Sequence, residues 1–170
     1  MNVNNQISAD IQFIGSCIQE LKLLNNIIAL NNDDKRTFGI DINVHDIDDQ
    51  DKDNALIGLV DLGVSIKVAS KNKKKTKMDI VIQGCFKSTN PKLSKDDFEG
   101  MLYVNGGSAL YSFARSLVCS LSANMYQSGK LLLPMVNIIE LLKEKVANAE
   151  RQTAEKAKQI SENSNKKNDN

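Results

Sequence analysis

The segment GGSALYSFARSLVCSLSANMYQSG, Gly106 to Gly129, runs directly into KLLLPMVNI, Lys130 to Ile138. Leu110, Phe113, Leu117, Leu121 and Met125 recur at spacings of three and four, which predicts one long amphipathic helix with this stripe toward the core. Gly106 and Gly107 are expected to break the preceding segment, Ser108 to cap the helix, and Gly129 to close it as a C-terminal cap. The helix cannot continue through Leu131 to Val136, because Pro134 has no amide donor and biases Leu133 toward an extended backbone. Asn137 with Glu140 then makes an N-x-x-E start for a last helix, apolar in front at Ile138, Leu141, Leu142 and Val146.

Upstream the period changes to two. Phe38, Ile40, Ile42 and Val44 alternate with Gly39, Asp41, Asn43 and His45; Leu62, Val64, Ile66 and Val68 follow, then Met78, Ile80 and Ile82. KNKKKTK between the last two sets reads as a hairpin tip. Ile11 to Leu30 reads as a long, bent or bulged strand, with a helix as the alternative. Ser94 can cap a short helix, KDDFEGMLYVN. Strands followed by helices give an α+β fold: a four-stranded antiparallel sheet followed by a long helix and a C-terminal helix packed on one face. The organisation expected is a flexible N-terminus over 1–10, one domain over 11–150, and an extended helix end with a disordered polar tail over 151–170.

A net charge of +1 exerts no global pull on nucleic acid or acidic membranes. No apolar run approaches the roughly 18 residues of a membrane span, and MNVNNQISADIQF lacks the features of a secretory signal, so a cytoplasmic location is expected. The three cysteines, Cys17, Cys85 and Cys119, are widely spaced, which argues against disulfides, and Cys85 and Cys119 read as small core residues rather than nucleophiles. The single His45 reads as an ordinary exposed histidine. DIDDQDKD lacks the central glycine and terminal glutamate of a calcium loop. The lysines of KNKKKTK stand without arginine or interleaved aromatics, which favours an edge-guarding hairpin over a nucleic-acid site. No cofactor, metal or catalytic cluster is expected, and hence no enzyme.

Two features are left over. Ser108, Ser112, Ser116, Ser120, Asn124 and Ser128 form an i+4 row that either allows close helix-to-helix approach across a subunit interface or is merely wet. Leu131, Leu132, Leu133, Met135, Val136, Ile138 and Ile139 are more large apolar side chains than the edge of a small domain readily hides.

The aromatic-x-Ala-Arg step in SFARSLVCSL, the glycine after it and the connection LPMVNI, set behind four strands, resemble the SecB protein-export chaperones over about Ile11 to Val146. The resemblance implies an ATP-independent holdase, a homotetramer built as a dimer of dimers, that takes unfolded polypeptides in apolar grooves. Its groove would draw on Phe38, Ile40, Ile42, Leu132, Leu133, Ile138, Leu141, Leu142 and Val146. The assembly interface would include Ser112, Arg115, Ser116 and Ser120. Glu20 and Asp79 match carboxylates that dock the SecA motor, whereas Leu24 and Lys77 replace two others. A second reading is a dedicated adaptor or antitoxin-type chaperone with one specific partner.

Overall fold

A computed structural model describes residues 10–48, 55–148 and 151. The expected flexible N-terminus apart from Asp10, the last five residues of DIDDQDKD, residues 149–150 and the tail beyond Arg151 lie outside the described residues. The chain forms two compact units, Met1–Met135 and Val136–Asn170.

In the first unit the alternating segments form β1 (Ile11–Asn25), β2 (Lys35–Asp48), β3 (Ile57–Ala69) and β4 (Lys75–Ser88), all neighbours antiparallel, in the order β1-β4-β3-β2. The long first strand is bulged as expected, with register shifts between Phe13 and Gly15 and between Ile18 and Glu20. Its neighbour is β4, so the chain crosses the sheet through 26–34 before β2 begins. The lysine segment is the β3–β4 hairpin tip, closed by Lys73 N–H donating to Ser70 O at 3.0 Å, with Lys73 in the left-handed region at φ 60.

Register puts the apolar positions in rows. Ile42, Leu62 and Ile82 lie side by side, then Ile40, Val64 and Ile80, then Phe38, Ile66 and Met78. All but Phe38 and Ile40 are buried, and each large side chain removed from water contributes about 1.5–3 kcal/mol.

The helical cover follows. Ser94 caps α1 (Lys95–Met101), its Oγ accepting from Asp97 N at 3.1 Å, and Phe98 is fully buried. Gly106 and Gly107 do not break the helix. A single π-helical turn, Leu102–Gly106, passes straight into α2 (Gly107–Met125), and Ser108, already inside, donates its hydroxyl back to Val104 O at 2.5 Å instead of capping. The reason is close approach: a Cβ on Gly106 would stand 3.1 Å from Val60 Cγ2 and 3.2 Å from the Phe86 ring, so the glycine lets the helix settle onto β3 and β4.

The helix is also rotated from its expected setting. Its buried side chains are Gly107, Leu110, Tyr111, Ala114, Val118 and Ser122. Of the expected stripe only Leu110 is buried; Leu117, Leu121 and Met125 are half-buried and Phe113 is 48% exposed. A tight helix-on-sheet contact selects small residues such as Ala114 and Gly107, and a count of large apolar residues overlooks them.

Gly129 does not cap α2, which ends at Met125 with an extended Tyr126. Gly129 adopts φ 80 in the following turn, where a Cβ would come 3.0 Å from Leu30 Cβ. That turn is stitched to the β1–β2 crossing by Gln127 N–H to Ile28 O at 2.8 Å and Leu30 N–H to Ser128 O at 3.1 Å.

In the second unit residues 138–148 form the expected last helix, α3. Asn137 caps it, Oδ1 accepting from Ile139 N at 3.1 Å and Glu140 N at 3.3 Å. Glu140 does not reach back to close a capping box; its carboxylate takes Lys143 Nζ at 2.8 Å.

Candidate functional site

The apolar run after α2 is extended, and the helix holds it by its edge. Arg115 Nε donates to Leu133 O at 3.2 Å and Nη1 reaches Met135 Sδ at 2.9 Å. Tyr111 donates its hydroxyl to Pro134 O at 2.6 Å, and Leu131 N–H donates to Ser122 Oγ at 2.9 Å. Tyr111, Arg115 and Ser122, spaced by four and seven, therefore clamp consecutive turns of an extended strap. The aromatic-x-Ala-Arg step divides its work: Ala114 lies fully buried beneath α2 and Arg115 beside it grips the strap.

The clamp fixes which leucines face out. Leu131 and Leu133 are buried, whereas Leu132 is 58% and Met135 80% exposed. Between the strap and the helix runs a shallow groove of about 410 Å³ lined by Ser112, Arg115, Ser116, Cys119, Ser120, Leu132 and Leu133. All four side chains expected at a subunit interface thus share one surface with two expected at the client groove. Ser112 satisfies its hydroxyl on Ser108 O at 3.0 Å, and Asn124 Nδ2 donates to Ser120 O at 2.9 Å, so part of the polar row bonds to its own helix.

The other expected groove residues divide between the units. On β2, Phe38 and Ile40 are half-buried and Ile42 is fully buried in register with Leu62. On α3, Ile138 is buried, Leu141 and Leu142 are half-buried and Val146 is 49% exposed.

A second apolar surface, not singled out in the sequence, lies on β1. Phe13, Ile18, Leu21 and Leu23 point to the side of the sheet that carries Phe86, Ile82, Ile80 and Met78, yet all four are exposed. Ile14 and Leu24 are also exposed, and the outer edge of β1 pairs with no described strand. A long apolar edge strand left in water is an association surface.

The open sheet face is polar. Gln19 Nε2 donates to Gln83 Oε1, Gln83 Nε2 to Asp61 Oδ1, and Asp61 Oδ2 lies 3.0 Å from His45 Nε2, a ladder with one residue from each strand. His45 is therefore half-buried and partnered, not the ordinary exposed histidine expected; its partner sits diagonally across β3, where only the register brings it. Of the two carboxylates expected to meet SecA, Glu20 is ion-paired to Lys22 at 2.6 Å and Asp79 to Lys77 at 2.7 Å. Among the described residues no group of three or more histidines, cysteines and carboxylates is placed to hold a metal. No described helix is long and apolar enough to cross a membrane.

An antiparallel four-stranded sheet, a long helix strapped by an extended connection and a C-terminal helix make a SecB-like fold. The particular likeness is to the Rv1957 SecB-like chaperone of Mycobacterium tuberculosis, solved in complex with a ChAD peptide from the Rv1956 HigA1 antitoxin, with a TM-score of 0.59 over 75% of this chain and 91% of that chain at 11% identity. A protein of unknown function from Streptococcus agalactiae also matches, at a TM-score of 0.43 and 11% identity over 74% of this chain and 97% of that chain, too slight a likeness to carry an argument. No protein-family model matches the chain, and no curated protein matches its sequence.

Proposed function

We propose that this protein is an ATP-independent chaperone that holds non-native polypeptide on aliphatic surface and works as a homotetramer in the cytoplasm. The observation that carries the reading is the strap: Leu132 and Met135 are held out to solvent by a backbone that Arg115 and Tyr111 fix from behind. Unbranched and γ-branched aliphatic side chains accommodate many client sequences, and several weak contacts along one chain add through avidity. In the first unit Phe38 and Ile40, and in the second unit Leu141, Leu142 and Val146, each offer further aliphatic or aromatic side chains of this kind. The exposed edge of β1, with Phe13, Ile18, Leu21 and Leu23, supplies the contacts for assembly, leaving the strap free for clients.

Ile42 is too deeply buried to report on a client, since an aspartate there would leave an uncompensated charge in the core. Leu132→Asp is the better probe. It is expected to lower affinity for a chemically unfolded client at least tenfold with native mass and melting temperature unchanged; unchanged affinity would remove the strap from the client site.

A second reading, a dedicated chaperone for one partner of the antitoxin type, is favoured by two observations. The structural neighbour was solved with an antitoxin peptide, and the carboxylates that would receive SecA are paired to this chain's own lysines. Competition decides between the readings: two unrelated unfolded clients that displace each other indicate a general holdase, and failure of both to bind indicates the dedicated one.

A further inference from the structure

The hairpin end of the open sheet face carries an arrangement that the holding reading leaves unused. Leu24, Lys77, Lys67 and Thr37 lie directly opposite one another in a single row across β1, β4, β3 and β2. In the next row toward the hairpin, Lys75, Ala69 and Lys35 are opposed in the same way. Lys67 and Lys77 therefore face each other on adjacent strands, with Lys75 and Lys35 on the diagonals, and like charges set directly opposite destabilise a sheet. Only Lys77 is relieved, by Asp79; among the described residues Lys35, Lys67 and Lys75 form no ion pair.

These side chains enclose a trough of about 300 Å³ with Leu24, itself 57% exposed, at the β1 end. Its walls are largely the alkyl stems of the lysines, which cover apolar surface while their ammonium groups stand at the rim. Such a trough suits a carboxylate next to an aliphatic side chain. A solubilising lysine tip would place its charges on the turn; here Lys35 and Lys67 stand on strands outside the tip and converge with Lys75 and Lys77 on one hollow.

We infer that this trough docks an acidic, leucine-containing segment of a partner protein, apart from the surface that holds clients. Charge complementarity selects the occupant: three exposed lysines on one hollow, without ion-pair partners among the described residues, favour a carboxylate, and the apolar wall favours an aliphatic side chain beside it. Nucleic acid fits less well, because the trough offers no arginine fork and no aromatic platform for a base.

The test is fluorescence anisotropy of the full chain with a labelled peptide of alternating glutamate and leucine, its glutamine-leucine counterpart, and a single-stranded DNA oligomer of equal charge. The glutamate peptide is expected to bind at least tenfold more tightly than the glutamine one, with affinity falling as salt rises. Lys67→Glu with Lys75→Glu is expected to abolish that preference, to raise the melting temperature at low salt by relieving like-charge contacts, and to leave suppression of client aggregation unchanged. Leu24→Ser is expected to weaken both peptides. Equal binding of the two peptides, an unaltered preference in the double variant, or tighter binding of the DNA than of the glutamate peptide would each overturn the proposal.

Discussion

The guanidinium of Arg115 donates to the carbonyl of Leu133 at 3.2 Å, eighteen residues along the chain, and this bond fixes which side of an apolar strap meets the solvent. Arg115→Ala removes it together with the contact to Met135 Sδ, and is expected to destabilise the fold by about 1–2 kcal/mol and to speed proteolysis between Leu131 and Met135. Arg115→Lys is expected to restore little, because one ammonium cannot reproduce the fork of donors. Urea melts and timed protease digests check both.

Gly84 and Gly100 give opposite expectations from one kind of substitution. A Cβ on Gly84 would stand 2.9 Å from both Leu110 Cδ2 and Phe86 Cε2, and Leu110 and Phe86 are buried, so Gly84→Ala is expected to cost about 1–3 kcal/mol. Gly100 lies within α1 with nothing in reach of an added methyl, and Gly100→Ala is expected to stabilise by about 0.5–1 kcal/mol. Thermal melts of the two variants, side by side, measure the contrast.

Thr76 ties three parts of the first unit. Its hydroxyl donates to Asn25 Oδ1 at 2.5 Å and accepts from the Tyr126 hydroxyl at 3.0 Å, while Asn25 Nδ2 reaches Met125 O at 3.3 Å. Thr76→Val keeps the shape and removes the hydroxyl, leaving the buried Tyr126 donor without this acceptor, at a cost of about 1–3 kcal/mol in a urea melt.

The chain's three tyrosines, Tyr103, Tyr111 and Tyr126, all have phenol pKa values raised by burial. Because the folded state holds the neutral phenol more firmly than the unfolded state does, their contribution is complete below the ordinary phenol pKa of about 10 and is lost as pH rises through the folded values. The chain has no tryptophan, so tyrosinate absorbance reads the process directly. Ionisation and loss of helical circular dichroism are expected to coincide above about pH 10.

Much of the fold was legible in the sequence because its signals are local. A period of two in Leu62 to Val68 and in Met78 to Ile82 requires strands with one buried face, and Pro134 forces the helix to stop before the strap. The lysine tip was equally plain, and the bulged first strand was one of two readings left open. What the sequence hid depends on distant partners. The place of β1 beside β4 is set by pairing across the sheet, and the rotation of α2 by glycine and alanine positions whose value lies in their lack of side chain. Gly106 illustrates the difficulty, since the same residue reads as a helix breaker locally and serves as a contact point in three dimensions. Within the candidate site, the sequence assigned Leu132 and Leu133 to one surface and the serine flank to another, and neither their shared groove nor the clamping roles of Tyr111 and Ser122 was legible. The convergence of Lys35, Lys67, Lys75 and Lys77 required the register, because two of them lie outside the conspicuous lysine run.

Holding of non-native chains without nucleotide is the activity proposed for this protein. Its most direct test is light scattering from a chemically unfolded protein diluted into nucleotide-free buffer, with and without the full chain, and with native mass recorded in parallel. Suppression of aggregation by a tetramer is expected, with loss of that suppression in Leu132→Asp at unchanged mass. A well-folded tetramer that leaves the scattering unaltered would contradict it.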